Sequence, residues 1–360
     1  MGSSKVSSEN SAESSRVSPS KPIRIMFVGD INLGEYYTSF GHGPRTYAKT
    51  RNPFENVLPL LQQADLVVGN LEAPLTRANF DPKEPESVVL RGNPQDARYL
   101  AEANFKVLQI ANNHSVQHGV EGFNETVATL RSHQIFPIGL NGQPVQTIQI
   151  NGEKLGFLAA SDVPDNTNKA QASYQRFDED FKALVKESAR IVDHLFVLLH
   201  WGLESSTAPM EYQRKYASEL ASTGVRGVIG HHPHLFYPVW QERSTIVAPS
   251  LGNFIFDQCW DQRLISSGIL DLTISHNMLS WKVWPIELTE NGSTPRISGA
   301  AQGPSSEINV ISLFDLGESM SGEQTRKLKY FFRHLHKGNV PLKTKFIMRK
   351  FFPILKPKTK

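Results

Sequence analysis

One cysteine, Cys259, stands in 360 residues, so no disulfide can form within the chain. This fits a reducing compartment, although exported bacterial enzymes can also lack disulfides. No apolar stretch reaches the roughly 18 residues that cross a bilayer as a helix. Met1 to Lys21 is Ser-rich and polar and has no apolar centre. A disordered tail over 1–21 is therefore expected, not a secretory signal. Gly2 follows Met1, but Val6 stands where N-myristoylation needs Ser or Thr. Also missing are the Gly-rich Lys-Ser/Thr loop of P-loop ATPases, the Rossmann fingerprint and the Gly-x-Ser-x-Gly elbow. A cytoplasmic or peripheral membrane location is expected.

The chain has 39% hydrophobic and 20% charged residues, ordinary values for a globular protein. Its net charge of +3 hides an asymmetry. Lys343, Lys345, Arg349, Lys350, Lys356, Lys358 and Lys360 crowd the last twenty residues without an acid among them, leaving a mildly acidic body. These alternate with Phe346, Ile347, Met348, Phe351, Phe352, Ile354 and Leu355. Such a mixture suits an anionic membrane surface or a polyanion. It suits equally an extension whose apolar side chains pack on the domain, and Pro353 and Pro357 favour that reading.

Short apolar runs bounded by Gly and Asn look like strands buried on both faces. They are Ile23 to Val28, Leu66 to Val68, Val107 to Ile110, Leu195 to Leu199 and Val225 to Ile229. Helices are expected over Phe54 to Gln63, Pro94 to Ala103, Val120 to Ser132, Glu211 to Ser222 and Glu323 to Lys337. Alternation of strands and helices predicts an α/β fold, with a central β-sandwich flanked by helices over roughly 22–290. The expected division is a tail (1–21), one domain (22–313) and a helix with a basic tail (314–360).

Each of the five runs ends on polar residues. Gly29-Asp30, Gly69-Asn70-Leu71-Glu72, Asn112-Asn113-His114, His200-Trp201-Gly202 and Gly230-His231-His232-Pro233-His234 follow them. In α/β folds ligands bind beyond the carboxyl ends of strands. Asp30, Asn70, Glu72, Asn113, His114, His200, His232 and His234 should therefore meet in one region. A mixed nitrogen and oxygen set suits Mn, Fe or Zn, whereas Ca prefers oxygen alone. Taken singly, a Gly-Asp is as readily a turn and a His beside Trp a packing residue. Three His in four positions after a buried strand are hard to attribute to packing.

The order of these segments resembles the CapA family, named for capsule poly-γ-glutamate biosynthesis. The resemblance rests on Gly29-Asp30-Ile31-Asn32-Leu33-Gly34, Asn70-Leu71-Glu72-Ala73-Pro74, Ala111-Asn112-Asn113-His114, His200-Trp201-Gly202-Leu203-Glu204, Gly230-His231-His232-Pro233-His234 and Ser250-Leu251-Gly252-Asn253-Phe254. It extends from about Arg24 to Leu313. That family in turn looks like a branch of the calcineurin-type metallophosphoesterases. The resemblance implies that Asp30, Glu72, Asn113, His200, His232 and His234 hold one or two divalent ions. It makes His114 the catalytic acid for a leaving group and leaves His231 outside the ligand set. Asn70, Arg91 and Asn253 are expected to contact substrate.

Two departures stand out. Asn32 occupies the place of a His ligand, which weakens one metal position. Gln117 and His118 replace a carboxylate and an aromatic near His114, changing a contact to that imidazole or the choice of substrate. The implied role is a metal-dependent hydrolase in bacterial capsule or poly-γ-glutamate biosynthesis. A metallophosphoesterase acting on nucleotides or phospho-sugars is a second reading. A non-catalytic, polyanion-binding subunit of a polymer synthase is a third. The expected partners are an anionic polymer or a phosphorylated small molecule, together with membrane synthase subunits and no nucleic acid.

Overall fold

The computed structural model describes residues 21–276, 278–304 and 310–351; all but the last residue of the tail expected over 1–21, and the basic residues after 351, lie outside that range. The strands, in chain order, are β1 (Ile23–Ile31), β2 (Leu66–Leu71), β3 (Phe105–Gln109), β4 (Phe136–Ile138), β5 (Gln146–Ile150), β6 (Glu153–Ser161), β7 (His194–His200), β8 (Gly227–His231), β9 (Val239–Glu242), β10 (Thr245–Ala248), β11 (Asn253–Ile255), β12 (Ser266–Ser275), β13 (Met278–Thr289), β14 (Thr294–Ile297) and β15 (Val310–Ile311). One sheet runs β14-β13-β12-β1-β2-β3-β4, with β11 also beside β1. The other runs β15-β9-β10-β8-β7-β6-β5. The expected α/β class, with two sheets packed together and flanked by helices, is what the chain adopts.

Alternation along β1 shows why the runs read as continuous. Ile23, Ile25 and Phe27 join Leu66, Val68, Phe157, Phe196 and Leu198 in the layer between the sheets. Met26 and Val28 point the other way, onto Leu60, Leu61, Leu100 and Leu130 beneath the helices. The second sheet does the same, with Val197 and Leu199 packed on Phe181, Val185, Ala217 and Leu220. Both faces of each central strand are thus covered, so apolar residues are favoured at every position.

Helices occur at Gly119–Ser132, Glu211–Ala221 and Glu323–His334, near their expected places. The helix expected over 54–63 is only Leu58–Leu61. Pro59 fits in a first turn but not in an interior, so the regular helix starts there. The stretch from Pro94 divides into a 3-10 turn (Pro94–Asp96) and a short α-helix (Ala97–Glu102). The basic segment continues as a helix, Val340–Phe351. Leu342 is buried, and Phe346 and Ile347 pack against the cluster of Tyr37, Phe40, Val88 and Phe331. Among the described residues no helix is long and apolar enough to cross a membrane.

Candidate metal centre

Strand register assembles the polar ends. Asp30 of β1 lies opposite Asn70 of β2 on one side and Asn253 of β11 on the other. His200 of β7 lies opposite His231 of β8. Close backbone approach brings these ends together. A Cβ on Gly29 would stand 1.9 Å from the Gly252 carbonyl oxygen, and one on Gly230 1.8 Å from that of Pro249. Neither position admits a side chain without moving backbone.

Asn70 Nδ2 donates to Asp30 Oδ1 at 2.8 Å. The other oxygen of Asp30 lies 3.3 Å from His234 Nδ1 and accepts from the His232 backbone N–H at 3.3 Å. Glu72 is fully buried, and neither of its carboxylate oxygens has a hydrogen-bond partner. Its Oε1 lies 3.7 Å from both His234 Nε2 and His114 Nε2. Asn113 Oδ1 and His200 Nε2 are 2.9 Å apart. The His200 and His232 rings sit 4.7 Å apart, and those of His232 and His234 6.1 Å. Asp30, Glu72 and His200 each offer a ligand atom within 4.8 Å of the others. His232 and His234 adopt positive φ, +97° and +61°. That backbone is costly for a side-chain-bearing residue and typical of functional turns.

Electrostatics follow from burial. Burial pushes Glu72 well above the usual carboxylate range, with His234 working against it. His200 is held well below the usual imidazole value by burial and then by neighbouring imidazoles. His232 is lowered to about 4, by burial and then by His234. Burial also works to lower His234, but Glu72 and Asp30 outweigh it and lift the ring to about 10. The carboxyl groups of Glu72 and Asp30 thus favour positive charge in the cluster. A divalent cation answers the same demand, and the partnerless oxygens of Glu72 and unpaired Nδ1 of His232 give it ligands. The donor set fits a transition metal or zinc.

Several of the expected site residues, and their neighbours, have partners within the protein. Asn253, expected to contact substrate, has its side chain engaged by the protein: its Oδ1 lies 2.9 Å from His234 Nδ1 and its Nδ2 donates to the Leu264 carbonyl. Being wholly buried, it orients the imidazole. Arg91, also expected to contact substrate, has its guanidinium engaged by backbone. It is 2% exposed and braces a loop through the carbonyls of Ser87, Thr76 and Ala78. Asn70 is buried behind Asp30 and supports that carboxylate. Asn32 turns away to Asp257 and the Gly34 N–H. His231 is anchored to the Val28 carbonyl through Nε2. His118 faces the Val89 carbonyl, whereas Gln117 reaches His114.

Two residues were missed in the sequence. Asn112 donates to Asn70 Oδ1 and the Leu71 carbonyl, tying β2 to the loop that carries Asn113. Of that pair of Asn residues, only Asn113 was given a role from the sequence. Asn166 places Nδ2 3.4 Å from His114 Nε2 and comes from a loop that no strand pattern marks.

Residues 24–258 match the family described as bacterial capsule synthesis protein PGA_cap. The chain is 28% identical over 281 residues to the PGA biosynthesis protein CapA of Bacillus subtilis (strain 168), covering 75% of this chain and 72% of the relative. It is 27% identical over 292 residues to the capsule biosynthesis protein CapA of Bacillus anthracis, covering 76% and 69%. Among solved structures, a hypothetical protein from Thermus thermophilus aligns with a TM-score of 0.45 and 14% identity, over 73% of this chain and 99% of that one. The 5'-nucleotidase from Candida albicans SC5314 aligns with a TM-score of 0.44 and 10% identity, over 94% and 66%.

Proposed function

We propose, from the premise that this chain belongs to the bacterial capsule synthesis protein family PGA_cap, that it is a metal-dependent hydrolase of capsule or poly-γ-glutamate biosynthesis. Asp30, Glu72, Asn113, His200, His232 and His234 would hold one or two ions of Mn, Fe or Zn. The observation that carries this is Glu72: a wholly buried carboxylate with two partnerless oxygens, facing imidazoles. A buried unpaired carboxylate is costly, and a cation removes that cost.

When bound, the ion supplies a Lewis acid and a water that ionises near neutral pH. The chain's own residues do the rest. Asn70, held by Asn112, fixes one oxygen of Asp30. Asn253 fixes the His234 ring. Gln117 engages His114 Nδ1, so Nε2 is the nitrogen left to move a proton at a leaving group. That nitrogen lies on the side of Glu72 and Asn166. The anionic substrate would be the polymer itself, with the protein working beside synthase subunits at or near the membrane.

The test is metal analysis of the purified full chain, followed by incubation with γ-linked glutamate polymer and with bis-p-nitrophenyl phosphate. Bound Mn, Fe or Zn with polymer cleavage supports the reading. Cleavage of the phosphodiester alone makes it a phosphoesterase. Metal retained with neither activity makes it a binding subunit. A chain that takes up no metal defeats the proposal.

A further inference from the structure

The helix Glu323–His334 lies beyond the stretch 24–258 that matches the family, yet it is tied to the loop that carries His232 and His234. Glu323 Oε1 accepts from Ser205 Oγ and from Trp260 Nε1, each at 3.1 Å. Ser205 in turn donates its backbone N–H to the carbonyl of Pro233, which sits between His232 and His234. Arg326 pairs with Asp261 at 2.8 Å. One turn on from Glu323, Lys327 points its ammonium among three rings, 4.5 Å from the centroid of Trp260, 4.7 Å from Tyr36 and 5.6 Å from Tyr37. Tyr36 packs on Ala73 and Phe256. Ala73 follows Glu72 in the chain, and Phe256 contacts the His234 ring. The helix therefore joins the segment after β7 to the segment after β1, across the edge of the donor cluster.

Lys327 donates to the Tyr36 hydroxyl at 2.8 Å. An ammonium carries three N–H donors, and no carboxylate among the described residues makes an ion pair with this one. Burial lowers its affinity for the proton, and Glu204, an exposed residue on the same rim, works to restore it. A cation held by aromatic faces, with hydrogen-bonding capacity to spare, is prepared for an oxyanion.

We infer that Lys327, seated among Tyr36, Tyr37 and Trp260, forms an anion-binding subsite at the edge of the metal centre that takes a carboxylate or phosphate group of the substrate. The location of the reacting centre rests on the proposed function above; the subsite itself is read from the helix. A merely structural lysine would pin the helix and bind nothing.

Calorimetric titration of the full chain with γ-linked tetraglutamate and with inorganic phosphate tests this, the two probes distinguishing carboxylate from phosphate. The parent should bind at least one probe. Lys327→Met, which keeps the apolar stem, should weaken that binding by about tenfold or more. Lys327→Arg should keep most of it, and Tyr36→Phe, which removes the hydroxyl that holds the ammonium in position, should fall between. Equal binding by the parent and Lys327→Met, at matched melting temperatures, overturns the subsite, and so does a parent that binds neither probe. Should Lys327→Met fail to fold, equal binding by the parent and Tyr36→Phe with no response to salt overturns it instead. Metal content measured on the same samples separates the two proposals. Metal present with unaltered probe binding rejects the subsite alone, and metal absent rejects the proposed function.

Discussion

Gln117 places its Oε1 2.6 Å from His114 Nδ1, an amide doing the orienting work for which a carboxylate was expected. A neutral acceptor fixes the ring without adding a negative charge to the centre. Removing such a support behind a reactive imidazole typically costs 10–100-fold. Gln117→Ala should therefore lower turnover by about tenfold or more while leaving metal content unchanged. A variant that keeps full activity would show that the imidazole is held by its other neighbours.

Glu72 gives a prediction whose sign depends on the metal. In chelator its buried, partnerless carboxylate is a burden, so Glu72→Gln should melt at the same temperature as the parent or higher. With a divalent ion at about a hundred times its dissociation constant, the parent should gain about 2.7 kcal/mol. Glu72→Gln should gain far less. Equal stabilisation of both proteins would remove Glu72 from the ligand set. By the same logic, the double change His232→Ala and His234→Ala should abolish metal by elemental analysis while the circular dichroism spectrum stays close to the parent's.

The strand ends were legible because burial on both faces leaves the central strands almost wholly apolar, so a polar residue marks where the sheet stops. Asp30, Glu72, Asn113, His114, His200, His232 and His234 come from such ends. The partners of Asn253 and Arg91 were not legible, for a different reason. Whether an amide or guanidinium faces a ligand or a backbone carbonyl depends on partners such as Leu264 and Ala78, which the local sequence does not identify. Pro59 shortened a helix that hydrophobic spacing alone extends. The reach of Glu323 to Ser205, 118 residues away, has no local signal at all.

Neighbouring strands β1, β12 and β13 of the first sheet carry a pH-dependent contribution. Arg24 donates to both oxygens of Asp271, at 2.9 and 2.7 Å, and Trp284 Nε1 adds a third bond at 2.9 Å. Burial works to raise the Asp271 carboxyl, but these donors outweigh it and hold it below the usual value. A carboxyl lowered on folding stabilises above its unfolded value, about 3.9, and that contribution is lost as pH falls through the lower folded value. Asp271→Asn should cost about 1–3 kcal/mol at neutral pH. The gap between parent and variant should narrow below about pH 4. A gap constant from pH 7 to pH 2 would contradict the assignment.

The C-terminal helix separates packing from membrane attraction. Phe346 stacks on Tyr37 with centroids 4.4 Å apart and planes 12° from parallel. Lys345 pairs with Glu84, and Arg349 pairs with Glu84 and Glu86 at 2.7 and 2.6 Å. Lys343 is buried, donating to the His334 carbonyl at 2.9 Å. These basic residues face the protein's own acids and carbonyls, which leaves less charge for an anionic surface than the sequence suggests. Ending the chain at Val340 should uncover Tyr37 and Phe40 and cost about 2–4 kcal/mol, on the scale of one or two large apolar side chains. The double change Lys345→Ala and Arg349→Ala should lower the melting temperature yet leave sedimentation with anionic vesicles at low salt unchanged. Loss of vesicle binding at an unchanged melting temperature would mean that these side chains meet lipid and not Glu84 and Glu86.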